Sequence, residues 1–78
     1  MKFNTGDLVK YAYNGGEIRC RVFAVVPPLT QPRAVVKSRF FDKRPQKLRD
    51  VESYLIENLD RPAQRWLHWP RVEKLQAM

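Results

Sequence analysis

The strongest constraint on the fold of this chain is the alternation of side chains between Glu17 and Val26. Small apolar residues occupy every second position, namely Ile18, Cys20, Val22, Ala24 and Val26. The positions between them hold Arg19, Arg21, Phe23 and Val25. A period of two places successive side chains on opposite faces of a β-strand. We therefore predict a half-buried strand whose small apolar residues face the core.

The residues on either side of this strand predict a β-hairpin and its end. Asn14-Gly15-Gly16 supplies residues that adopt positive φ at low cost, which is typical of tight hairpin turns. Leu8 to Tyr13 alternates imperfectly and is predicted to be the first strand. Pro27-Pro28 ends the second strand, because proline has no amide hydrogen for the ladder.

The rest of the chain is less regular. Arg33 to Phe41 alternates and predicts a third strand, with Val35, Lys37, Arg39 and Phe41 on one face. Residues 47–59 have apolar residues at helical spacing, which favours a helix from 47 to about 53, whereas 53–59 fits a helix or a strand equally well. Arg65 to Trp69 is predicted to be a strand ended by Pro70, and Val72 to Leu75 a final short strand or turn.

This order of signals resembles the SH3-like barrels of small bacterial proteins. Such barrels often open with a Gly-Asp-x-Val pattern, here Gly6-Asp7-Leu8-Val9, followed by a glycine turn and a long second strand. They often close with a strand, a proline turn and a final strand, here 66–70 and 72–75. We expect one mostly β domain over residues 1–78, an SH3-like barrel with the option of a short helix near residues 47–58.

The last third also resembles the plasmid-borne type II dihydrofolate reductases, which are short SH3-like barrels. Their Tyr-x-Val-Glu strand corresponds to Tyr54-Leu55-Ile56-Glu57, their Pro-Gly turn to Pro62-Ala63 and their Leu-Glu close to Val72-Glu73. Their catalytic Val-Gln-Ile-Tyr motif is replaced by Trp66-Leu67-His68-Trp69. The resemblance therefore implies the fold and not the reductase chemistry.

The positive charge of the chain is concentrated in one segment. Seven of the fifteen Lys and Arg residues lie between Arg33 and Arg49, where Asp42 is the single acid, so this segment carries 7 − 1 = +6. The other residues carry 8 − 7 = +1. A local excess of this size indicates a surface that meets a polyanion.

A nucleic-acid site follows if the strands 17–26 and 33–41 pair, because their cations would then share one face with two phenylalanines. Cations bind phosphates, and exposed aromatic rings stack on bases. A basic loop after the third strand extends this surface. The predicted nucleic-acid-binding residues are Arg19, Arg21, Phe23, Lys37, Arg39, Phe41, Lys43, Arg44, Lys47 and Trp66.

The aromatic residues near the end of the chain divide between core and surface. In a strand, Leu67 and Trp69 share one face, and Trp66 and His68 share the other. The face with Leu67 is the better candidate for the core, so Trp69 is predicted to be buried and Trp66 to be a binding residue. Glu57 is predicted to pair with Arg65 or Arg71.

The residue types needed for catalysis are scarce. Cys20 and His68 are the single cysteine and the single histidine, and neither has partners at a spacing typical of a metal site or a catalytic triad. We expect a non-enzymatic protein without a cofactor. The alternatives are a module that binds an acidic protein, for example an adaptor or inhibitor encoded by a mobile element, and an oligomeric ligand-binding barrel like the reductases.

The same composition suggests a location. A lone cysteine cannot form an internal disulfide, which fits a reducing compartment. No apolar run approaches the roughly 18 residues of a membrane span, and the first residues lack the apolar stretch of a signal peptide. We expect a cytoplasmic protein with no membrane contact.

Overall fold

Over its described residues the chain is mostly β, with five antiparallel strands in one sheet. The computed structural model describes residues 2–36, 47–60 and 67–78. Its strands are β1 (Leu8–Tyr13), β2 (Gly16–Val26), β3 (Ser53–Asn58), β4 (Leu67–His68) and β5 (Leu75–Ala77). A four-residue helix α1 (Pro32–Val35) follows β2, and a 3-10 turn (Val72–Lys74) precedes β5. The strand order is β4-β3-β2-β1-β5.

The predicted hairpin is confirmed. β1 and β2 pair from Leu8 opposite Arg21 to Tyr13 opposite Gly16, so the turn consists of Asn14 and Gly15. Both turn residues have positive φ, 50° and 78°, as in the type I′ turn, whose twist matches that of the strands.

The predicted face of β2 is confirmed up to Val22. Cys20 and Val22 are buried in the core, Ile18 packs against it, and Arg19 and Arg21 are exposed. The pairing with β3 shifts register between Val22 and Ala24. This bulge adds one residue to β2 and exchanges its two faces, so Val25 packs against the core, whereas Ala24 is half-buried and Val26 is buried outside the core cluster.

The sheet curls strongly. β4 and β1 are separated by two strands, so a flat sheet would hold them about 14 Å apart. Instead the ring of His68 on β4 lies 5.6 Å from that of Tyr11 and 5.8 Å from that of Tyr13, both on β1. No β4–β5 pairing closes the sheet among the described residues, but this curvature is consistent with the predicted barrel.

The core lies inside this curl. It comprises Phe3, Val9, Cys20, Val22, Tyr54, Ile56 and Leu75. Phe3 meets the edge of Tyr54, with ring centroids 5.3 Å apart and planes at 76°, and its amide donates to the Tyr54 hydroxyl at 3.0 Å. The residues before β1 are thereby fixed to β3, which lies about fifty residues later in the chain.

The predicted strand from Arg33 to Phe41 is wrong over its described part. Residues Pro32–Val35 form α1 instead, because the fixed φ of Pro32 suits the first turn of a helix. In the sheet, β2 lies between β1 and β3, so these two strands are its neighbours. Residues 37–41 lie outside the described residues.

The predicted helix near residues 47–58 is also wrong. Residues 47–52 are irregular, and Ser53–Asn58 form β3, which agrees with the strand alternative for 53–59. Tyr54, Leu55 and Ile56 are each at most 1% exposed, so this strand is covered on both faces. A strand buried on both sides has a continuous apolar run instead of an alternation, and such a run cannot be distinguished from a helix by its period.

Candidate nucleic-acid interface

The two arginines predicted to bind nucleic acid on β2 each face an acid. Arg19 donates through Nε to Asp60 Oδ1 at 2.8 Å, and its backbone amide donates to Asp60 Oδ2 at 2.8 Å. Arg21 Nη1 lies 3.8 Å from Glu57 Oε1 on β3. On β1, Lys10 Nζ lies 4.0 Å from Glu17 Oε2.

We call the side of the sheet that carries these pairs the outer face, defined by Lys10, Arg19, Arg21 and Glu57. The hydrogen bonds from the backbone and side chain of Arg19 lower the pKa of Asp60, so this carboxylate stays charged against its arginine. The described cations of the outer face are thus matched one to one by acids. Such exposed pairs are weak, but they leave little excess charge for a polyanion.

Among the described residues Glu57 pairs with Arg21 and not with Arg71, whereas Arg65 lies outside the described residues. Glu57 was expected to pair with Arg65 or Arg71. It lies directly opposite Arg21 in the β2–β3 register, and opposite charges across a strand pair stabilise it.

The remaining predicted site residues divide between exposed and undescribed positions. Phe23 is 44% exposed, and Lys47 is exposed. Lys37, Arg39, Phe41, Lys43, Arg44 and Trp66 lie outside the described residues. At Arg19 and Arg21, β2 lies between β1 and β3, so the strand pairing that was expected to bring Lys37 and Arg39 beside these arginines is wrong. A binding role for Lys37 and Arg39 stays a prediction.

A second basic surface lies at the end of the sheet near Ser53. The chain forms a cleft of about 590 Å³ between residues 47–51 and residues 71–73, with Leu29 at its border. We call it the basic cleft. Three cations line it, Lys47, Arg49 and Arg71, together with the acids Asp50 and Glu73.

Arg49 connects the walls of the basic cleft. Its guanidinium donates to the carbonyl of Pro70 at 2.5 Å and to that of Trp69 at 2.8 Å. The same group lies 3.9 Å from the centroid of the Trp69 ring, a cation–π contact. The carbonyl of Arg49 accepts from the amide of Leu29 at 2.7 Å. One residue thus joins three segments that are distant in sequence.

Two guanidinium groups lie close together in the basic cleft. Burial, and after it the neighbouring Arg71, lower the pKa of Arg49, while Glu73 acts in the opposite sense. Arg49 and Arg71 therefore repel one another at a partly desolvated site. An anion beside these two residues would relieve that repulsion.

The sequence prediction included Lys47 but missed Arg49 and Arg71. Arg49 lies within the basic segment and was a visible candidate. Arg71 is separated from it by twenty-two positions, and its proximity depends on the fold. The available signal was the presence of Arg49 and of Trp69 in one short chain. Arginine often stacks on an aromatic ring, and such a contact would have placed Arg49 next to Arg71.

The aromatic residues of β4 differ from the prediction. His68 lies opposite buried Ile56 and contacts Tyr11 and Tyr13, so it faces inward, and Leu67 lies opposite Glu57 on the outer face. Trp69 follows the strand and is half-buried, with its Nε1 donating to Ser53 Oγ at 2.7 Å. β4 ends at His68, so the alternation of side chains along a strand does not determine the direction of Trp69.

Of the two side chains capable of nucleophilic or metal chemistry, Cys20 is buried and His68 is half-buried. Burial raises the pKa of Cys20 to about 11. Burial lowers the pKa of His68, whose Nε2 is buried with no hydrogen-bond partner in the described structure. Over residues 2–36, 47–60 and 67–78, no three His, Cys, Asp or Glu side chains come together as metal ligands.

We compared the chain with known protein families, with characterised proteins and with solved structures, and none of them matches it. In the described part of the chain, no helix is long and apolar enough to cross a membrane.

Proposed function

We propose that this protein is a non-enzymatic nucleic-acid-binding module that holds phosphates at the basic cleft. The observation that supports this most is the meeting of Lys47, Arg49 and Arg71 around one concave surface. The most basic part of the sequence, Arg33 to Arg49, leads directly into that surface at Lys47.

The distribution of charge supports the same proposal. Residues 37–46 and 61–66 contain six cations and one acid, or +5, which leaves 7 − 5 = +2 for the rest of the chain. The ten residues 37–46 alone contribute 4 − 1 = +3 and directly precede Lys47 in the sequence. A polyanion that neutralises such charges releases condensed counterions, and this release drives sequence-independent binding.

The three cleft cations have different roles in this proposal. The guanidinium of Arg49 is engaged by the carbonyls of Trp69 and Pro70, so it contributes mainly its charge. Lys47 and Arg71 are exposed and supply the direct phosphate contacts. Arg19 and Arg21 contribute less, because each is paired with an acid.

The test is the salt dependence of affinity, measured by fluorescence anisotropy with a labelled oligonucleotide. Each direct phosphate contact adds about 0.7–0.9 to the slope of log K against log salt. The double variant Lys47→Gln/Arg71→Gln should therefore lose about 1.4–1.8 from that slope. The matched control is Lys10→Gln/Lys74→Gln, which removes the same charge outside the cleft.

An equal loss of slope in both double variants would show that net charge matters and the cleft does not. Wild-type protein that fails to bind any oligonucleotide at low salt would contradict the proposed function itself.

One observation favours a second candidate, a module that binds an acidic protein. Leu29, Leu48 and Val51 line the same cleft and are 67%, 42% and 53% exposed. Aliphatic side chains beside cations would suit an acidic peptide with apolar residues. Such a complex would not show the steep salt dependence of phosphate binding. For either function we propose a cytoplasmic location, which the lone cysteine supports.

A further inference from the structure

We propose that the basic cleft accepts one unstacked nucleotide, so that the protein prefers single-stranded over duplex nucleic acid. This inference rests on the proposed function and specifies its substrate. It follows from what the cleft contains besides its cations.

The size of the cleft suits one nucleotide. At about 590 Å³ it lies within the range of roughly 300–1,000 Å³ that is typical of small-molecule sites. A phosphate alone would fill little of this volume, and a duplex is too wide to enter it. A single base with its sugar is the part of a polynucleotide that fits.

The apolar side chains of the cleft indicate a contact with a base. Leu48 and Val51 are exposed on the wall that also carries Lys47. In a duplex the faces of the bases are stacked on one another, and only their edges are accessible. An aliphatic wall inside a concave site can therefore contact a base face only when the base has left the stack, as in single strands.

The acids of the cleft fit the same occupant. Asp50 and Glu73 line it and would repel a bare phosphate, but ionised carboxylates accept hydrogen bonds from the N–H groups on base edges. A nucleotide presents both chemistries, with its phosphate toward Lys47 and Arg71 and its base edge toward a carboxylate. This combination distinguishes a nucleotide from a simple anion.

The experiment compares a labelled single strand with the duplex of the same sequence at one salt concentration. We expect the single strand to bind about tenfold more tightly, since the apolar surface that a base buries against two aliphatic side chains is worth about a factor of ten. The variant Leu48→Ser/Val51→Ser should lose about tenfold for the single strand and nothing for the duplex, at an unchanged salt slope.

The matched control is Leu8→Ser/Val35→Ser, which alters one exposed leucine and one exposed valine outside the cleft, and it should bind as wild type does. Leu29→Ser, at the most exposed of the three positions Leu29, Leu48 and Val51, gives a second variant that keeps the fold. Circular dichroism checks that each variant is folded.

Equal affinity for single strand and duplex would overturn the inference, as would wild-type binding by both cleft variants. In either case a steep salt dependence would leave the proposed function standing. If neither probe binds at low salt, the proposed function fails and this inference fails with it.

Discussion

Arg49 donates to two carbonyls, stacks on Trp69 and accepts from Leu29 through its own backbone. The contacts of the side chain need a planar group with several donors in a fixed arrangement, which lysine lacks. The residue therefore serves the fold first, by holding the walls of the basic cleft together, and the site second, through its charge.

The substitution Arg49→Lys separates these two roles, because it keeps the charge and removes the planar group. We expect the free energy of unfolding to fall by about 1–3 kcal/mol, from lost charge-assisted hydrogen bonds and cation–π contact. Urea denaturation measures this change, with Arg33→Lys at an exposed position of α1 as the control. Equal stability of the two variants would show that Arg49 does not join the segments in solution.

Cys20 was predicted to face the core from its place in the alternation, and it is 0% exposed. Burial also raises the pKa of its thiol to about 11, so the reactive thiolate is scarce near neutral pH. We expect a thiol reagent to label native protein far more slowly than protein unfolded in urea. Similar rates would mean that β2 does not bury this residue.

Among the elements, β1 and β2 were predictable because their signals are local. Alternation fixes the faces of β2 up to the bulge after Val22, and Asn14-Gly15 fixes the turn. The strand expected from Arg33 failed because Pro32 begins a helix there, and β3 was ambiguous because it is buried on both faces. The basic cleft joins Leu29, residues 47–51 and residues 71–73, and no local pattern shows that such distant segments meet.

The stability of the sheet depends on pH through His68 on the short strand β4. Burial lowers the pKa of His68 from its ordinary value of 6.5, so the unfolded chain takes up a proton at a pH where the folded chain does not. The stability that the neutral ring contributes is therefore complete above about pH 6.5. It is lost as the pH falls toward the lower pKa of His68 in the folded chain.

The substitution His68→Phe tests this link, because it keeps an aromatic ring beside Tyr11 and Tyr13 and removes the titrating group. We expect the wild-type free energy of unfolding to decrease between neutral pH and about pH 5, and the variant to change less. Denaturant titrations across this range measure both proteins. Parallel curves would show that His68 is not responsible.

For the whole molecule, the outer face and the basic cleft differ in how their charges are arranged. The outer face pairs each described cation with an acid, whereas the basic cleft brings three cations and two acids to one concave surface. The sequence predicted the faces of β2 up to Val22 and a binding surface on the strand face of Arg19 and Arg21. The acids opposite these arginines become visible only when β2, β3 and the residues after β3 meet.

The most direct test of the account is an amide NMR titration of the protein with a short single-stranded oligonucleotide, which reports contact residue by residue. We expect the largest shifts at Lys47–Val51 and Arg71–Glu73, with small shifts at Lys10, Arg19 and Arg21. Shifts concentrated on the outer face, or no shifts at low salt, would contradict the claim that the basic cleft holds nucleic acid.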